Sequence, residues 1–338
     1  MTEPPPAVLL TRELVPEAMR ALEGRCAPDV YTGPPDAIPR AEFLRRAEGR
    51  HGLLVMLTER VDRELLDAAG PDLRVVANHA VGHDNIDVAE CTRRGVLVTN
   101  TPDVLTESTA DLTWALILAS VRRIAGGDRF PRPRAPWVRG PRMVLGQDLH
   151  GKVLGIVGCG RVGQAVARRA RGFGMHVVYT APRRLPAQRE AELGVRRRDL
   201  GQLLTEADVV SVHAPLTPMT RHLFNDETFA MMKPTAVLVN TARGPIVDEK
   251  ALARAVENAV IFAAGLDVFE REPEVEESLL ALDSVTVVPH PGSTTTRTRA
   301  AMGLLAVENL LAGVSGRRPR TPVNHHRLPV SRSGSPRS

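Results

Sequence analysis

Three residues that can carry out acid–base chemistry follow apolar, strand-like runs in the second half of this 338-residue chain. Arg243, Glu272 and His290 each stand within a few residues of the end of such a run. Ligands bind at the carboxyl ends of strands in an open α/β sheet, so we expect these side chains to converge. Arginine can bind a carboxylate and polarise a ketone, histidine can donate a proton, and glutamate can orient the imidazole and favour its charged form. Beside a nicotinamide, this set would reduce a 2-oxo acid.

A glycine-rich turn directly follows the apolar run 153–157. Gly158, Gly160 and Gly163 have the GxGxxG spacing, and a helical pattern continues from Gln164 to Arg171 before the next apolar run. The first glycine would make the tight turn, the second would admit a pyrophosphate at the helix N-terminus, and the third would allow close helix–strand packing. A glycine turn without a ligand is the alternative. The strand–turn–helix context favours a dinucleotide site.

The end of the next strand-like run distinguishes the two nicotinamide cofactors. NAD-specific sites usually place an acid there to hold the ribose 2′-hydroxyl, whereas this chain has Arg183 and Arg184 and no acid. Guanidinium groups bind a 2′-phosphate through charge-assisted, often bidentate hydrogen bonds. Because arginine is abundant throughout the chain, a solvated basic turn is the alternative. We expect NADPH to be preferred, with NADH as the second cofactor.

The elements that would hold these residues alternate between strand and helix along almost the whole chain. Short apolar runs indicate buried parallel strands, and the amphipathic stretches between them indicate helices. The predicted fold class is α/β, with two Rossmann-like lobes whose parallel sheets are flanked by helices. The predicted strands are Ala7–Leu10, Leu53–Leu57, Leu73–Ala77, 153–157, 176–180, 208–212, 235–239, 261–265 and 285–288, and the predicted helices include Pro16–Leu22, Arg63–Ala69 and 295–311.

The longest helix candidate follows Pro102 and runs from Asp103 to about Arg123. Proline suits a position where the helix needs no N–H, and an aspartate is favourable near the positive end of a helix. Since residues 112–121 are apolar nearly all round, we expect this helix to be buried between lobes or subunits. The Pro/Arg-rich segment 126–146 cannot be a regular helix and is predicted to be an ordered loop or arm.

The composition limits the classes of protein to which the chain can belong. Apolar residues make up 43% and charged residues 25%, as in soluble globular proteins, and neither a membrane-spanning run nor a secretory signal is recognisable. Cys26, Cys91 and Cys159 lack metal-ligand spacing, which suits the reducing cytoplasm. The net charge of +5 comes from arginines spread along the chain and from no nucleic-acid-binding motif. We expect a cytoplasmic protein without a membrane or nucleic-acid partner.

The chain resembles the D-isomer-specific 2-hydroxyacid dehydrogenases, and among them the glyoxylate/hydroxypyruvate reductases. The resemblance lies in the glycine turn, the three strand ends and the segments Val76–Asp87 and Asn100–Thr106. The resemblance covers residues 7 to 328. It implies hydride transfer from NADPH to a small anionic 2-oxo acid, with Arg243, Glu272 and His290 as catalytic residues and His290 as the proton donor. It also implies a homodimer and a discontinuous lobe. The implied domains are a substrate-binding lobe of residues 1–102 plus 293–328 and a dinucleotide-binding lobe of residues 103–292, and the polar tail 329–338 is expected to be disordered.

Residue roles follow from the same resemblance, position by position. The amides of Val81 and Gly82, next to Ala80, match the family's carboxylate-binding loop, and Asp267 matches the acid that contacts the nicotinamide carboxamide. Arg243 is expected to bind the substrate carboxylate as well. His83 is a candidate for the pocket wall, and His213 for the border of the cofactor cleft. The predicted cofactor-binding set is Thr109, Gly158, Gly160, Arg161, Val162, Gly163, Arg183, Arg184, Pro215, Thr220, Thr241, Asp267 and Gly292, with no metal site.

The chain departs from the family in the segment before the glycine turn, which keeps only Trp137 where relatives have several tryptophans. This segment also carries five arginines, namely Arg129, Arg132, Arg134, Arg139 and Arg142. Either they form a solvated dimer arm, or one or two of them reach a second anionic group on a substrate such as phosphonopyruvate. A dinucleotide-sensing corepressor and a phosphite-oxidising enzyme are further alternatives. Phosphite-oxidising relatives tend to have a lysine near the carboxylate loop, and positions 79–83 contain none.

Overall fold

The structure is a computed structural model that describes residues 4–34, 37–132, 140–141 and 143–324. The described residues divide into two compact units. Those up to Leu105 and from Thr295 onward form the first unit, and Thr106–Thr294 form the second. The first unit is therefore built from both ends of the chain.

The N-terminal part of the first unit is a five-stranded parallel sheet with helical crossovers. Its elements are β1 (Ala7–Leu10), α1 (Pro16–Arg20), β2 (Ala27–Val30), α2 (Arg40–Ala47), β3 (Gly52–Val55), α3 (Arg63–Ala69), β4 (Val75–Asn78), α4 (Val88–Arg93) and β5 (Leu97–Thr99). The strand order is β2-β1-β3-β4-β5, and every pair is parallel. Every residue of β3 and β4 is buried, because both faces of a parallel sheet are covered.

The second unit contains a seven-stranded parallel sheet. Its elements are α5 (Thr106–Val121), α6 (Ile124–Arg129), β6 (Val153–Val157), α7 (Arg161–Ala170), β7 (His176–Thr180), α8 (Ala187–Leu193), β8 (Val195–Arg197), α9 (Leu200–Glu206), β9 (Val209–Val212), α10 (Asp226–Ala230), β10 (Val237–Asn240), α11 (Glu249–Glu257), β11 (Ala263–Leu266), α12 (Glu277–Leu280) and β12 (Val285–Val287). The strand order is β12-β11-β10-β9-β6-β7-β8. The direction of winding reverses between β6 and β9, the type of point at which open sheets bind ligands.

The last helix, α13 (Thr296–Val314), belongs to the first unit and packs on β3, β4 and α1. Thr295 caps it by accepting a hydrogen bond from the Thr298 amide. Gly313 lies so close to Val75 that a Cβ at this position would stand 2.6 Å from the Val75 Cβ. The chain ends are thus joined in one core.

Two parallel-sheet α/β units flanked by helices confirm the predicted fold class, although several details of the prediction were wrong. Helix α5 begins at Thr106 and not at Asp103, whose φ of 70° is incompatible with a right-handed helix. Within the second unit it packs on α7, β10 and β11. Its expected burial between lobes or subunits stays a prediction. Trp114 anchors α5 by donating to the Val166 carbonyl at 3.1 Å and stacking on Phe173.

The start of the Pro/Arg-rich segment is helical, contrary to the prediction, because α6 includes its first four residues. Arg129 pairs with Asp283, and Arg132 pairs with Asp128. The remaining predicted features of this arm, Arg134, Trp137, Arg139 and Arg142, lie outside the described residues, as does the tail 329–338.

Candidate active site

Three neighbouring strands of the second sheet carry the predicted catalytic residues at their carboxyl ends. Arg243 lies three residues after β10, Glu272 lies in the loop after β11, and His290 lies three residues after β12. The structure brings two of them into direct contact, since Nδ1 of His290 stands 2.8 Å from Oε2 of Glu272. An ionised carboxylate can only accept, so Nδ1 carries the proton in this pair and Nε2 is left for a substrate.

The backbone around the pair fixes both side chains. The second carboxylate oxygen of Glu272 accepts the Phe269 amide at 3.0 Å. His290 has a left-handed φ of 54°, and its amide donates to the Val288 carbonyl at 3.0 Å. A non-glycine residue rarely adopts this conformation, so the turn after β12 holds the imidazole at a specific orientation.

Arg243 is held by residues that the sequence analysis did not single out. The Asn240 side chain bridges the turn, with Nδ2 donating to the Arg243 carbonyl at 2.9 Å and Oδ1 accepting from the Ala242 amide at 3.0 Å. A Cβ on Gly244 would overlap the Phe269 backbone, so only glycine lets the loops after β10 and β11 meet this closely. The sequence signal for this role was a polar residue, Asn240, directly after the apolar run of a predicted strand.

A reciprocal pair of glutamates, also missed from the sequence, holds the loop that carries Glu272. The Glu249 carboxylate accepts the Glu270 amide at 2.6 Å, and the Glu270 carboxylate accepts the Glu249 amide at 3.0 Å. The other Glu270 oxygen is 3.0 Å from Nε2 of His222. Burial raises the pKa of Glu249, which is 6% exposed. These bonds tie the loop to the start of α11.

The charge on Glu272 is stabilised by its surroundings. Burial acts to raise its pKa, but the hydrogen bond and charge of His290, the Phe269 amide and the Arg243 charge together outweigh burial and lower it. Glu272 is therefore an anion throughout the neutral range. The same carboxylate lies 2.8 Å from Nδ1 of His290 and so orients the imidazole ring.

Asp267 follows β11 and is almost completely buried, with 1% of its surface exposed. Burial raises its pKa to about 6, against the opposing effects of the His290 charge and the Gly292 amide, and the Glu272 charge adds to the increase. Among the described residues, no group hydrogen-bonds to its Oδ1. A buried acceptor without a donor is costly, and the amide group of a ligand would satisfy it.

The glycine turn has the conformation that a dinucleotide site requires. Gly158 has φ 95° and donates to the Thr180 carbonyl at 2.9 Å, and a Cβ there would lie 2.5 Å from the Ala214 amide nitrogen. A Cβ on Gly163 would overlap the Gly158 carbonyl, whereas one on Gly160 would meet nothing within 4 Å. The open side of Gly160 leaves the start of α7 accessible to a phosphate group.

The predicted arginine pair at the end of β7 has two different environments. Both side chains are exposed, but Arg184 also forms a forked ion pair with Glu190, the nearest contact being 2.8 Å. Glu190 also accepts the Tyr179 hydroxyl at 2.6 Å. The Arg184 guanidinium and this hydroxyl lower the pKa of Glu190. The sequence showed no acid at the strand end because Glu190 reaches this corner only through the fold of α8.

The other predicted cofactor residues line the same carboxyl edge of the second sheet or the adjoining start of α5. The Thr109 hydroxyl donates to the Gly292 carbonyl at 3.3 Å, and Thr241 lies 2.9 Å from the Thr113 hydroxyl. The Thr220 hydroxyl donates to the Pro215 carbonyl at 2.7 Å. Arg161 and Val162 form the first turn of α7, after the glycines.

His213 follows β9, next to the glycine turn. Its Nε2 lies 2.8 Å from the Ser211 hydroxyl, and burial lowers its pKa to about 3. The imidazole is therefore neutral. The backbone carbonyl of His213 lies directly against Gly158 and so supports the glycine turn.

In the first unit, the loop after β4 presents backbone amides. The carbonyls of Ala80, Val81 and Gly82 accept hydrogen bonds from the Thr101 amide, the Asn100 side chain and the Asn78 side chain, at 2.7 to 2.8 Å. Within the described part of the chain, the Val81 and Gly82 amides donate to no protein group. Such a loop, with its carbonyls held and its amides unused, can bind a carboxylate.

Two histidines flank this loop and differ in exposure. His83 is exposed. His79 is 7% exposed, and burial, together with the Arg299 charge, lowers its pKa to about 4, so it is neutral at physiological pH.

Two features are absent from the described residues. No helix there is long and apolar enough to cross a membrane. No group of three or more His, Cys, Asp or Glu side chains in the same ranges has an arrangement that could hold a metal ion.

The buried acid Asp267 predicts a pH-dependent loss of stability. Its pKa is about 6 in the folded protein and about 3.9 in an unfolded chain, so between these values the folded state holds a proton that the unfolded state has released. Stability therefore falls as the pH rises through this window. Asp267→Asn should raise the free energy of unfolding by about 1–3 kcal/mol at about pH 7.5, and by much less at about pH 4. Denaturant unfolding followed by circular dichroism measures both values.

The exposed Asp72, changed to Asn, is the control for Asp267 and should alter stability little at either pH. A gain from Asp267→Asn that is the same at both pH values would show that the side-chain volume or shape, and not the buried charge, is responsible.

The chain is similar over most of its length to several known proteins. A family model for the NAD-binding domain of the D-isomer-specific 2-hydroxyacid dehydrogenases matches residues 114–292. The glyoxylate reductase of Thermococcus kodakarensis is 46% identical over 333 residues, which cover 97% of this chain and 99% of that protein. A protein of Thermus thermophilus has a solved structure with a TM-score of 0.85 and 45% identity, covering 94% of this chain and 99% of that one.

A further solved structure is the NADPH-dependent glyoxylate/hydroxypyruvate reductase of Sinorhizobium meliloti in complex with NADP and malonate. It has a TM-score of 0.82 and 34% identity, and the match covers 94% of this chain and 96% of that one. Similarity at this level extends over nearly the full length of each chain. The chain belongs to the D-isomer-specific 2-hydroxyacid dehydrogenase family and is an oxidoreductase.

Proposed function

We propose that the chain reduces a small anionic 2-oxo acid, glyoxylate or hydroxypyruvate, to the D-2-hydroxy acid, with NADPH as the preferred reductant. The observation that carries this proposal is the hydrogen bond of 2.8 Å between His290 and Glu272 at the strand ends beside Arg243. The relatives named glyoxylate reductase support the substrate class.

His290 is the proposed proton donor. Glu272 binds Nδ1 and leaves Nε2, on the other side of the ring, to protonate the oxygen of the ketone. One third of the His290 side chain is exposed, so a substrate can reach it. The carboxylate of Glu272, 2.8 Å from Nδ1, holds the ring in the orientation that this proton transfer needs.

Anion binding is assigned to one group in each unit. In the second unit, Arg243 would bind the substrate carboxylate and polarise the ketone. In the first unit, the amides of Val81 and Gly82 would donate to a carboxylate, with Ala80 supporting the loop. Both assignments follow from the resemblance to the family, and the second also from the unused amides described above.

The cofactor-binding residues fit a nicotinamide dinucleotide. The open side of Gly160 at the start of α7 suits the pyrophosphate, and the unsatisfied Oδ1 of Asp267 suits the carboxamide N–H of a nicotinamide. A bound reduced nicotinamide supplies the hydride. The nicotinamide end of the site would be lined by Thr109, Thr241 and Gly292. The rest of the cofactor would be lined by Arg161, Val162, Pro215 and Thr220. Arg183 supports a preference for NADPH, as does the NADP-bound relative from Sinorhizobium meliloti. Arg184, the other predicted arginine, is already paired with Glu190.

The direct test is a panel of substrates with each cofactor. Loss of absorbance of NADPH or NADH is followed after adding glyoxylate, hydroxypyruvate, pyruvate or phosphonopyruvate. We expect glyoxylate or hydroxypyruvate to give the highest kcat/KM, and NADPH to exceed NADH by about tenfold or more, since one charge-assisted bond to a phosphate contributes about 1.5–3 kcal/mol.

Each other outcome of the panel has a defined meaning. A preference for phosphonopyruvate would replace the proposed substrate. Arg129 and Arg132 do not support this outcome, because each already pairs with an aspartate. If none of the four acids is reduced although NADPH binds tightly, the result would favour the corepressor function over catalysis.

His290→Ala should lower kcat by about 100- to 10,000-fold, because it removes the general acid. Binding of NADPH, measured by fluorescence titration, should change less than about twofold, since the proton donor does not hold the cofactor. His176→Ala is the matched control, because this histidine is exposed at the start of β7. Unchanged turnover in His290→Ala would refute the proposed role.

We also propose a cytoplasmic homodimer. The three cysteines are free and buried, which suits a reducing compartment. Ile124, Phe130 and Leu145, around the Pro/Arg-rich segment, are 50 to 56% exposed, and apolar side chains so exposed near each other in the chain are typical of an interface.

The dimer can be measured by sedimentation equilibrium, where we expect twice the 36.7 kDa mass of one chain. Phe130→Glu should weaken the dimer at least about tenfold, because it places a charge in the interface. Leu280→Glu changes an equally exposed side chain on α12 and should leave the mass unchanged. A monomer in the unaltered protein would contradict the proposal.

A further inference from the structure

Arg197 is the last residue of β8, the edge strand that pairs with β7. Its register partner is Tyr179, so Arg197 ends its strand beside the end of β7. Nη2 of Arg197 donates to the Ala181 carbonyl at 3.2 Å. The guanidinium therefore lies on the turn that also carries Arg183 and Arg184, although Arg197 follows Ala181 by 16 residues.

A cavity of about 440 Å³ lies at this corner of the second unit. The residues that line it include Thr180, Arg184, Arg197, Arg198, Asp199 and Gln202. Its wall is mainly polar and basic, which suits an anionic group and does not suit an apolar ligand.

The arginines of this corner differ in how their charge is compensated. Arg184 is paired with Glu190 and Arg198 with Glu206, each at 2.8 Å. Asp199 uses its carboxylate to cap α9, accepting the Gln202 amide at 2.8 Å. In the described ranges, no carboxylate forms an ion pair with Arg183 or Arg197.

We propose that Arg197 binds the 2′-phosphate of NADPH and is a determinant of cofactor specificity. This inference rests on the proposed preference for NADPH and adds a residue from a second strand to the site. Glu190 already occupies the fork of Arg184, so Arg184 shapes the turn. The Arg197 charge also helps to lower the pKa of Glu190, but no carboxylate in the described ranges forms an ion pair with Arg197. The Ala181 carbonyl takes one of the five N–H donors of Arg197, and the others remain for phosphate oxygens.

The neighbouring Arg196 provides a matched control. Both side chains are exposed and carry the same charge, but successive residues of a strand point to opposite faces. Arg196 contributes to a different cavity and not to the one beside Ala181. Removing one positive charge should have the same general electrostatic effect on binding in both variants. Loss of a direct contact with the phosphate should weaken binding only in Arg197→Ala.

The experiment compares calorimetric binding of adenosine 2′,5′-bisphosphate and adenosine 5′-monophosphate to the full chain. Arg197→Ala should weaken the bisphosphate by about tenfold or more and the monophosphate by less than about twofold, because only the former carries the 2′-phosphate. Arg196→Ala should change both by less than about twofold at physiological salt. Arg197→Lys, which keeps the charge but not the fork, should fall between Arg197→Ala and the unaltered protein. The ratio of kcat/KM for NADPH over NADH should fall in parallel in Arg197→Ala.

Equal losses in Arg197→Ala and Arg196→Ala, or an equal loss for both nucleotides, would overturn the role of Arg197 alone. If the unaltered protein binds the two nucleotides equally, the preference for NADPH is wrong, and the proposed role of Arg197 falls with it. The two failures are therefore distinguishable in one set of titrations.

Discussion

The parallel alignment of the strands in the second unit is the constraint on which the candidate active site depends. Every strand of the seven-stranded sheet runs in the same direction, so every loop that leaves a carboxyl end emerges at one edge. Helical crossovers produce this arrangement, and the reversal of winding between β6 and β9 opens the edge for a ligand. Residues more than a hundred positions apart, such as Gly158 and His290, are placed on the same edge by this single rule.

The chemistry at that edge is achieved at some cost in stability. Asp267 keeps a buried carboxyl group without a donor for one oxygen among the described residues, and Glu249 is buried with a raised pKa. A core designed only for stability would contain neither group. Glu272 differs, since His290 and the Phe269 amide compensate its charge. Protein groups therefore satisfy both carboxylate oxygens of Glu272, whereas one oxygen of Asp267 has no donor among the described residues, which is why we propose that a ligand supplies it.

The corner between β7 and β8 shows how tertiary structure redistributes charge that looks uniform in sequence. Four arginines, Arg183, Arg184, Arg197 and Arg198, end or follow these two strands, yet two of them pair with glutamates that helices bring to the corner. Binding of an anion then depends on which guanidinium groups have no carboxylate partner and where they lie. Specificity for a phosphate would thus be set jointly by two strands and by Glu190 on α8.

The sequence by itself determined the α/β class, most strand positions, the glycine turn, and the choice of Arg243, Glu272 and His290 as the candidate reactive set. Strand length, apolar runs and glycine spacing depend only on residues that are close together in the chain, so the sequence pattern is enough to predict them. It could not determine that α5 packs on α7, β10 and β11 within the second unit, that Asp103 adopts a left-handed conformation, or that Asn240, Glu249 and Glu190 support the site. Each of these depends on contacts between residues distant in the chain, and only the packed structure decides which donor meets which acceptor.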